Sequence, residues 1–169
     1  MTDLEELWLV APEQRAWRSF IRLASLLMGR LDAELIERHS LTLAEYEVLA
    51  HLSTAAGLSM RMSALAELCL VSRSGLTRRL DSLVARQFVA KETCASDRRG
   101  TIARLTALGM SRLEEAAPTH VAGVRRYLIS AFTEADLDRF TQYLSAPIGL
   151  LELANESLPS CSLPASECP

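Results

Sequence analysis

The apolar positions of the chain recur at helical spacing over most of its length. The first stripe runs from Pro12 to Arg38, with apolar side chains at three- and four-residue intervals, and it predicts one long helix. Pro12 suits the first turn, where its missing N–H costs nothing. A stripe of this length exceeds what one small core needs and is typical of a helix that supplies half of an intersubunit interface.

A second helix and a short third helix are predicted downstream. Thr42 and Glu45 form a capping box that begins the second helix, and the helix ends near Gly57, a residue suited to a left-handed cap. Residues 58–62 are predicted to form an extended link. A brief helix over 64–69 follows this link.

After a tight turn, a further helix is predicted from Ser72 or Arg73 to Arg86 or Gln87. Four apolar residues at helical spacing form its inward face: Leu76, Leu80, Leu83 and Val84. The opposite face of this helix is left for solvent or for a partner.

Helical spacing then stops, and a β-hairpin is predicted. Residues 88–94 and 101–106 have the composition and partial alternation of two strands, and the second strand includes Arg104. The turn between them covers 95–100. The tip of the hairpin is therefore predicted at residues 97–100.

Two more helices are predicted over 107–131 and 134–154. Pro118 is expected to kink or interrupt the first of them, because proline lacks the backbone N–H that a helix interior needs. Residues 155–169 contain three Pro and four Ser and have no periodicity. This composition predicts a disordered tail.

The order of short helix, turn, helix and hairpin is that of a winged helix–turn–helix. The predicted fold class is therefore mainly α with a small β-hairpin wing, flanked by N- and C-terminal dimerisation helices. We expect residues 1–57 to form the N-terminal dimerisation and scaffold helices and 58–106 the DNA-binding module. Residues 107–154 are expected to form the C-terminal dimerisation helices, and 155–169 the tail.

Charge is distributed unevenly along the chain. The 169 residues carry a formal net charge of −3, yet residues 60–106 hold nine basic and four acidic side chains. An acidic body with a basic central module fits a DNA-binding protein. On charge alone, an ordinary solvated basic face fits equally well.

Four polar side chains lie on the outer face of the helix over 72–87: Arg73, Ser74, Thr77 and Arg78. Arginine can fork onto guanine O6 and N7, while serine and threonine bond to base edges or phosphates. The N-terminus of the helix also attracts phosphate. We therefore expect this face to read DNA in the major groove, although two arginines on an amphipathic helix are common in other proteins.

The hairpin tip carries a second candidate site at Asp97, Arg98 and Arg99. Two adjacent arginines repel each other on a short exposed turn, so this arrangement suits insertion into the minor groove, where the negative potential is deepest. Asp97 can pair with one of them and orient it. The alternative is a solvated turn with a weak surface ion pair.

The hairpin resembles the wing signature of the MarR (multiple antibiotic resistance regulator) family, D-x-R-x-x-x-V-x-L-T-x-x-G. Five positions match this pattern: Asp97, Arg99, Leu105, Thr106 and Gly109. Ala103 takes the place of the usual valine. Residues 72–83 are similar to the family's recognition helix and 43–49 to its second helix, so the resemblance extends from Pro12 to Leu153.

The resemblance implies a two-fold dimer joined by the first helix and the last two. It implies a palindromic operator, with one recognition helix per half-site in successive major grooves and Arg99, with Arg98 nearby, in the flanking minor groove. It also implies repression that ends when a small molecule or oxidant arrives. The expected partners are double-stranded DNA with an inverted repeat, a second copy of the chain, and a small aromatic or lipophilic effector.

The effector site is weakly marked in the sequence. The resemblance places effectors between the dimer helices and the winged module, and four residues are candidates to line that space: Trp17, Tyr46, His51 and Met62. A packed-core role is the competing interpretation for each of them. The histidines share no ligand spacing with cysteines or carboxylates, so no metal and no cofactor is expected.

A thiol switch at Cys94, at the base of the wing, is one alternative to a small-molecule effector. Cys69 is expected to be buried and inert. A winged helix used for protein–protein contact is the other alternative, although such a module has little need for paired wing arginines.

No enzyme motif is present, so catalysis is not expected. The N-terminus lacks a basic signal region, and the uncharged stretches are too short to span a bilayer. We therefore expect a cytoplasmic protein that does not associate with membranes.

Overall fold

The computed structural model describes residues 8–94 and 97–157, with side chains described at all of these positions except 93, 94, 97–100 and 155–157. The helices are α1 (Ala11–His39), α2 (Leu43–Thr54), α3 (Met62–Leu68), α4 (Arg73–Ala85), α5 (Ala107–Tyr127) and α6 (Glu134–Ser157). The strands are β1 (Ser59–Arg61), β2 (Val89–Cys94) and β3 (Asp97–Leu105). The chain divides into two compact units between Tyr127 and Leu128.

The strands form an antiparallel sheet in the order β1-β3-β2. Within it, Ser59 pairs with Arg104, and Val89 pairs with Leu105. The predicted hairpin of β2 and β3 is confirmed, but β1 was predicted only as an extended link. A strand of three residues is too short to show the alternation by which strands are recognised in a sequence.

The predicted turn over 95–100 is wrong for its last four residues, because β3 already begins at Asp97. The pairing register jumps there: Thr93 pairs with Thr101, whereas Cys94 pairs with Asp97. Such a bulge places extra residues on one strand and interrupts the alternation. This interruption explains why the polar run Asp97-Arg98-Arg99-Gly100 has the composition of a turn.

Three helix boundaries also differ from prediction. α3 begins at Met62, two residues early, and α5 ends at Tyr127 and is followed by a 3₁₀ turn over Ile129–Ala131. α5 continues through Pro118. Proline has no N–H to donate to the carbonyl of Glu114 one turn earlier, but both residues are exposed, so water can bond to that carbonyl. α6 extends to Ser157, so the predicted disorder is wrong for 155–157, and 158–169 lie outside the described residues.

The start of α2 forms as its capping box predicts. The Glu45 backbone N–H donates to Thr42 Oγ1 at 3.2 Å, and the Thr42 N–H donates to Glu45 Oε2 at 2.9 Å. At the other end, α2 stops at Thr54. Gly57 is left-handed as expected, with φ 63°, but it lies in the 3₁₀ turn that follows the helix rather than in its cap.

The core lies where the C-terminal half of α1, helices α2 to α5 and the inner face of the sheet meet. Its fully buried side chains include all three leucines of the α4 stripe: Leu76, Leu80 and Leu83. The N-terminal half of α1 contributes none of the buried residues, since those of this helix begin at Leu31. One half of α1 therefore belongs to this core, and the other half presents apolar side chains to solvent.

A polar cluster holds α1 against α5 within the first unit. The Tyr127 hydroxyl donates to Glu34 Oε1 at 2.5 Å, and Arg30 Nε donates to the same carboxylate at 3.1 Å. The bond from Tyr127 is the main cause that lowers the pKa of Glu34, so this nearly buried carboxyl is ionised at neutral pH.

Gly109, at the start of α5, passes very close to the segment between α4 and β2. A Cβ added there would lie 2.1 Å from the Phe88 carbonyl oxygen. The Thr106 hydroxyl, which donates to Gln87 O at 2.7 Å, anchors the same segment. The glycine in the wing signature therefore has a packing reason: α5 approaches this backbone too closely for any side chain.

We expect Gly109→Ala to lower the free energy of unfolding by about 1–3 kcal/mol, because the overpacked backbone must shift. Gly29→Ala is the matched control, since nothing lies within 4 Å of its added Cβ and alanine favours a helix. It should leave stability unchanged or raise it. Urea denaturation measures both, and equal stabilities for the two variants would contradict the close approach.

Candidate DNA-binding surface

The N-terminus of α4 is capped and exposed. The Ser72 hydroxyl accepts from the Gly75 N–H at 3.1 Å and lies 3.1 Å from the Ser74 hydroxyl. The Thr77 hydroxyl donates to the Arg73 carbonyl at 2.9 Å. These bonds define the first turn, because the cap satisfies one of the N–H groups that a helix start leaves free.

The four predicted reading residues share one exposed face of α4: Arg73, Ser74, Thr77 and Arg78. The buried leucine stripe occupies the opposite face. The structure thus brings these four residues together and turns them outward. Whether they contact DNA remains a prediction.

Three other cations of this module are paired with carboxylates. Lys91 lies 2.7 Å from Asp81, Arg104 lies 2.7 Å from Glu92, and Arg86 lies 2.8 Å from Glu45. Within the part of the chain that the structure describes, the guanidinium groups of Arg73 and Arg78 have no such partner. These two groups are therefore available to an external anion.

The pair of Lys91 and Asp81 joins β2 to the exposed side of α4. Beside it lies an open cavity of about 260 Å³, lined by Met62, Arg73, Thr77, Lys91 and Thr101. This cavity lies between the recognition face of α4 and the wing. A ligand held in it would touch two of the four predicted reading residues.

Arg104 fixes the root of the wing. It donates to both carboxylate oxygens of Glu92, at 2.7 and 3.0 Å, and to the Gly57 carbonyl at 2.9 Å. The bond to Arg104 is the main cause that lowers the pKa of Glu92, and the same pair raises the pKa of Arg104. The Arg104 side chain thus connects β3 with β2 and with the turn after α2.

Sequence reasoning counted Arg104 as a basic residue but missed this role. The sequence did contain a signal for it: in an antiparallel hairpin Glu92 on β2 lies diagonally opposite Arg104 on β3, close enough for an ion pair. The backbone of Asp97, Arg98 and Arg99 lies at the start of β3, while their side chains fall outside the described residues. Their contact with DNA remains a prediction.

The four candidate effector residues occupy different environments. Trp17 is 56% exposed on α1, and Tyr46 is buried with its ring centroid 4.5 Å from that of His120. His51 and Met62 are half-buried, on α2 and at the start of α3. Of these four, Met62 lines the 260 Å³ cavity, and the shared pocket remains a prediction.

Burial shapes the titration of one cysteine, Cys69, and one histidine, His120. Burial raises the pKa of the Cys69 thiol and so disfavours the reactive thiolate, which confirms the expected buried position. Burial also lowers the pKa of His120. The side chain of Cys94 lies outside the described residues.

Within residues 8–94 and 97–157, no three metal-ligating side chains cluster, and no helix has the length and apolar character of a membrane span.

These features define a winged helix–turn–helix with a cationic recognition helix. Residues 39–100 match the sequence model of the MarR family. The chain is 36% identical to AbsC, a MarR family transcriptional regulator from Streptomyces coelicolor, over 86% of this chain and 97% of that one, with a TM-score of 0.81. It is 32% identical to Sco3205 from the same organism, whose structure contains DNA, over 93% and 98% of the two chains, also with a TM-score of 0.81.

The chain belongs to the MarR family of transcriptional regulators. It is thus a DNA-binding regulator and not an enzyme. The Escherichia coli protein MarR, at 22% identity and a TM-score of 0.64, shares the fold. No curated protein shows significant sequence similarity to the chain.

We expect Arg104→Gln to loosen the wing, because glutamine lacks the fork that reaches both Glu92 and the Gly57 carbonyl. Amides that pair β3 with its two neighbours should exchange hydrogen severalfold faster, while those of α5 serve as the internal reference. Hydrogen exchange on the free protein measures this. Unchanged exchange in β3 would show that backbone pairing alone holds the wing.

Proposed function

We propose that the protein is a repressor that binds a palindromic operator as a homodimer and is released by a small-molecule effector. The observation that carries this proposal is the pair of exposed arginines, Arg73 and Arg78, that have no carboxylate partner in the described structure and lie on the outer face of α4. Residues 58–106 act as the DNA-binding module. The flanking segments, 1–57 and 107–154, hold two copies together, and the protein acts in the cytoplasm.

The chemistry of α4 suits the major groove. Arg73 and Arg78 offer forked donors to guanine edges, and Ser74 and Thr77 offer hydroxyls to bases or phosphates. The first turn adds backbone N–H groups and the positive end of the helix dipole. A helix with this outer face enters the groove N-terminus first, as recognition helices do.

The wing supports a second contact. Asp97, Arg98 and Arg99 stand on β3 beyond a root that Arg104 fixes in place. A rigid root lets arginines at the far end enter a narrow minor groove without first ordering the hairpin.

The part of α1 that precedes Leu31 supports dimerisation. It exposes a series of large apolar side chains: Trp17, Phe20, Ile21, Leu23, Leu26 and Met28. In the second unit, α6 likewise exposes Tyr143, Ile148, Leu150, Leu151 and Leu153. Apolar surface of this extent marks an interaction site, and a two-fold partner would bury the same patch on both copies.

A cavity beside the exposed face of α4 supports effector release. The cavity beside Met62 includes Arg73 and Thr77, so a small aromatic anion bound there would compete directly with DNA. The other three candidates do not line this cavity, so they would contact an effector only if it bound elsewhere on the protein: Trp17, Tyr46 and His51. Oxidation of Cys94 is the alternative signal.

We expect Arg73→Ala and Arg78→Ala to weaken binding to the inverted repeat beside the protein's own gene by about tenfold or more each, the value of one forked base contact. Arg125→Ala, an exposed arginine in the last turn of α5, is the matched control and should bind as the parent does. Fluorescence anisotropy over a salt titration measures both.

The parent should prefer this repeat over a scrambled duplex by several decades. Equal, weak binding to both duplexes would leave only a basic patch and would favour the protein-contact alternative. If both α4 variants kept the parent's preference, the recognition face would be placed wrongly.

We expect Phe20→Asp to convert the dimer into a monomer, because a charge on the exposed apolar face of α1 cannot be buried without a partner. Sedimentation velocity measures the change in mass, and circular dichroism shows whether helix content is kept. A dimer of unchanged stability would exclude this face as the interface.

A further inference from the structure

We propose that Arg86 is the positioning residue that fixes the recognition helix to the junction of α1 and α2, so that the operator half-site spacing depends on this side chain. The inference rests on the proposed function, a dimer bound to an inverted repeat. Arg86 stands at the C-cap of α4, far from the exposed face that begins at Arg73. It therefore acts through position and does not need to touch DNA.

The Arg86 guanidinium joins two elements at once. Its Nη2 lies 2.8 Å from Glu45 Oε1 at the start of α2, and its Nη1 donates to the Ser40 carbonyl at 2.6 Å. Ser40 is the left-handed C-cap of α1, where the helix dipole favours a positive charge. One planar fork thus bridges the end of α1 and the start of α2 from the end of α4.

The Glu45 carboxylate is itself held in place by hydrogen bonds. Glu45 Oε2 accepts from the Thr42 N–H at 2.9 Å, and the Ser82 hydroxyl of α4 also bonds to this carboxylate. Burial opposes ionisation of Glu45, but the bonds from Ser82 and Thr42 and the charge of Arg86 outweigh it. The pKa of Glu45 therefore lies below its usual range, and the pair is charged at neutral pH.

The ring of Phe88, just before the hairpin, also contacts the Arg86 guanidinium. The Arg86 guanidinium carbon lies 5.0 Å from the centroid of Phe88, which precedes β2. Arg112 of α5 lies 5.7 Å from the same ring. The two arginines make a matched pair: both stack on Phe88, but Arg86 alone bridges Ser40 and Glu45.

Geometry explains why this contact sets position. α4 has 13 residues, so its axis is about 20 Å long at a rise of 1.5 Å per residue. A tilt of about 6° at the C-terminal end would move Arg73 by about 2 Å, more than a forked contact to a base tolerates. The leucine stripe fixes which face is buried, while the fork at Arg86 fixes the angle relative to α1.

The test compares Arg86→Lys, Glu45→Gln and the double variant with the matched control Arg112→Lys. Each protein is titrated with the inverted repeat and with the same repeat carrying one extra base pair between its half-sites. Lysine keeps the charge but lacks the planar group whose two nitrogens reach the Ser40 carbonyl and the Glu45 carboxylate together. Thermal unfolding of each variant separates loss of fold from loss of position.

The two single variants and the double variant should all lose about tenfold in affinity for the native repeat, as for one lost base contact. Their preference for the native spacing should shrink, while the salt dependence stays that of the parent because the phosphate contacts are unchanged. Arg112→Lys should keep the parent's spacing preference. If Arg86→Lys also kept it, even with a lower melting temperature, Arg86 would be only structural and the proposal would be overturned.

A measurement without DNA separates this inference from the proposed function. Spin labels at Glu37→Cys on α1 and Ser74→Cys on α4, in a chain whose four native cysteines are replaced, report the distance between the two helices. Pulsed electron paramagnetic resonance should show a broader or shifted distance distribution in Arg86→Lys. An unchanged distribution would overturn the inference whether or not the parent binds the repeat.

Discussion

The burial of one face of α4 is the constraint on which the rest of the site depends. Leu76, Leu80 and Leu83 are fully buried, and truncating such a leucine typically costs about 2–5 kcal/mol. This energy fixes the rotation of α4 about its own axis. The exposed position of Arg73 and Arg78 follows from it, because a helix whose stripe is buried must present the opposite face to solvent.

The availability of these arginines depends on how the neighbouring charges are arranged. The module has more basic than acidic residues, yet Lys91, Arg104 and Arg86 are each matched by a carboxylate that also ties two elements together. The paired cations serve the scaffold, whereas Arg73 and Arg78 face outward. Net charge, which is −3 for the chain, says little about this surface because local pairing decides which cation meets an anion.

The sequence predicted what local patterns determine. The leucine stripe of α4 and the capping box of α2 depend on residues within one or two turns, and both appear as expected. The strand β1 and the first residues of β3 were missed, because a three-residue strand and a bulge carry no clear alternation. Partners of the ion pairs were missed for another reason: Arg86 and Glu45 are 41 positions apart, and only the tertiary fold brings them together.

The two halves of α1 connect assembly to recognition. Its N-terminal half exposes the apolar face proposed to meet a second copy, while its C-terminal end accepts the bond from Arg86 at Ser40. A rigid helix transmits a displacement at one end to the other, so a change in how two copies pack would reach α4 through this junction. The proposed effector therefore need not touch the recognition face. Any ligand that favours one packing of α1 over another would change the spacing of the two recognition helices.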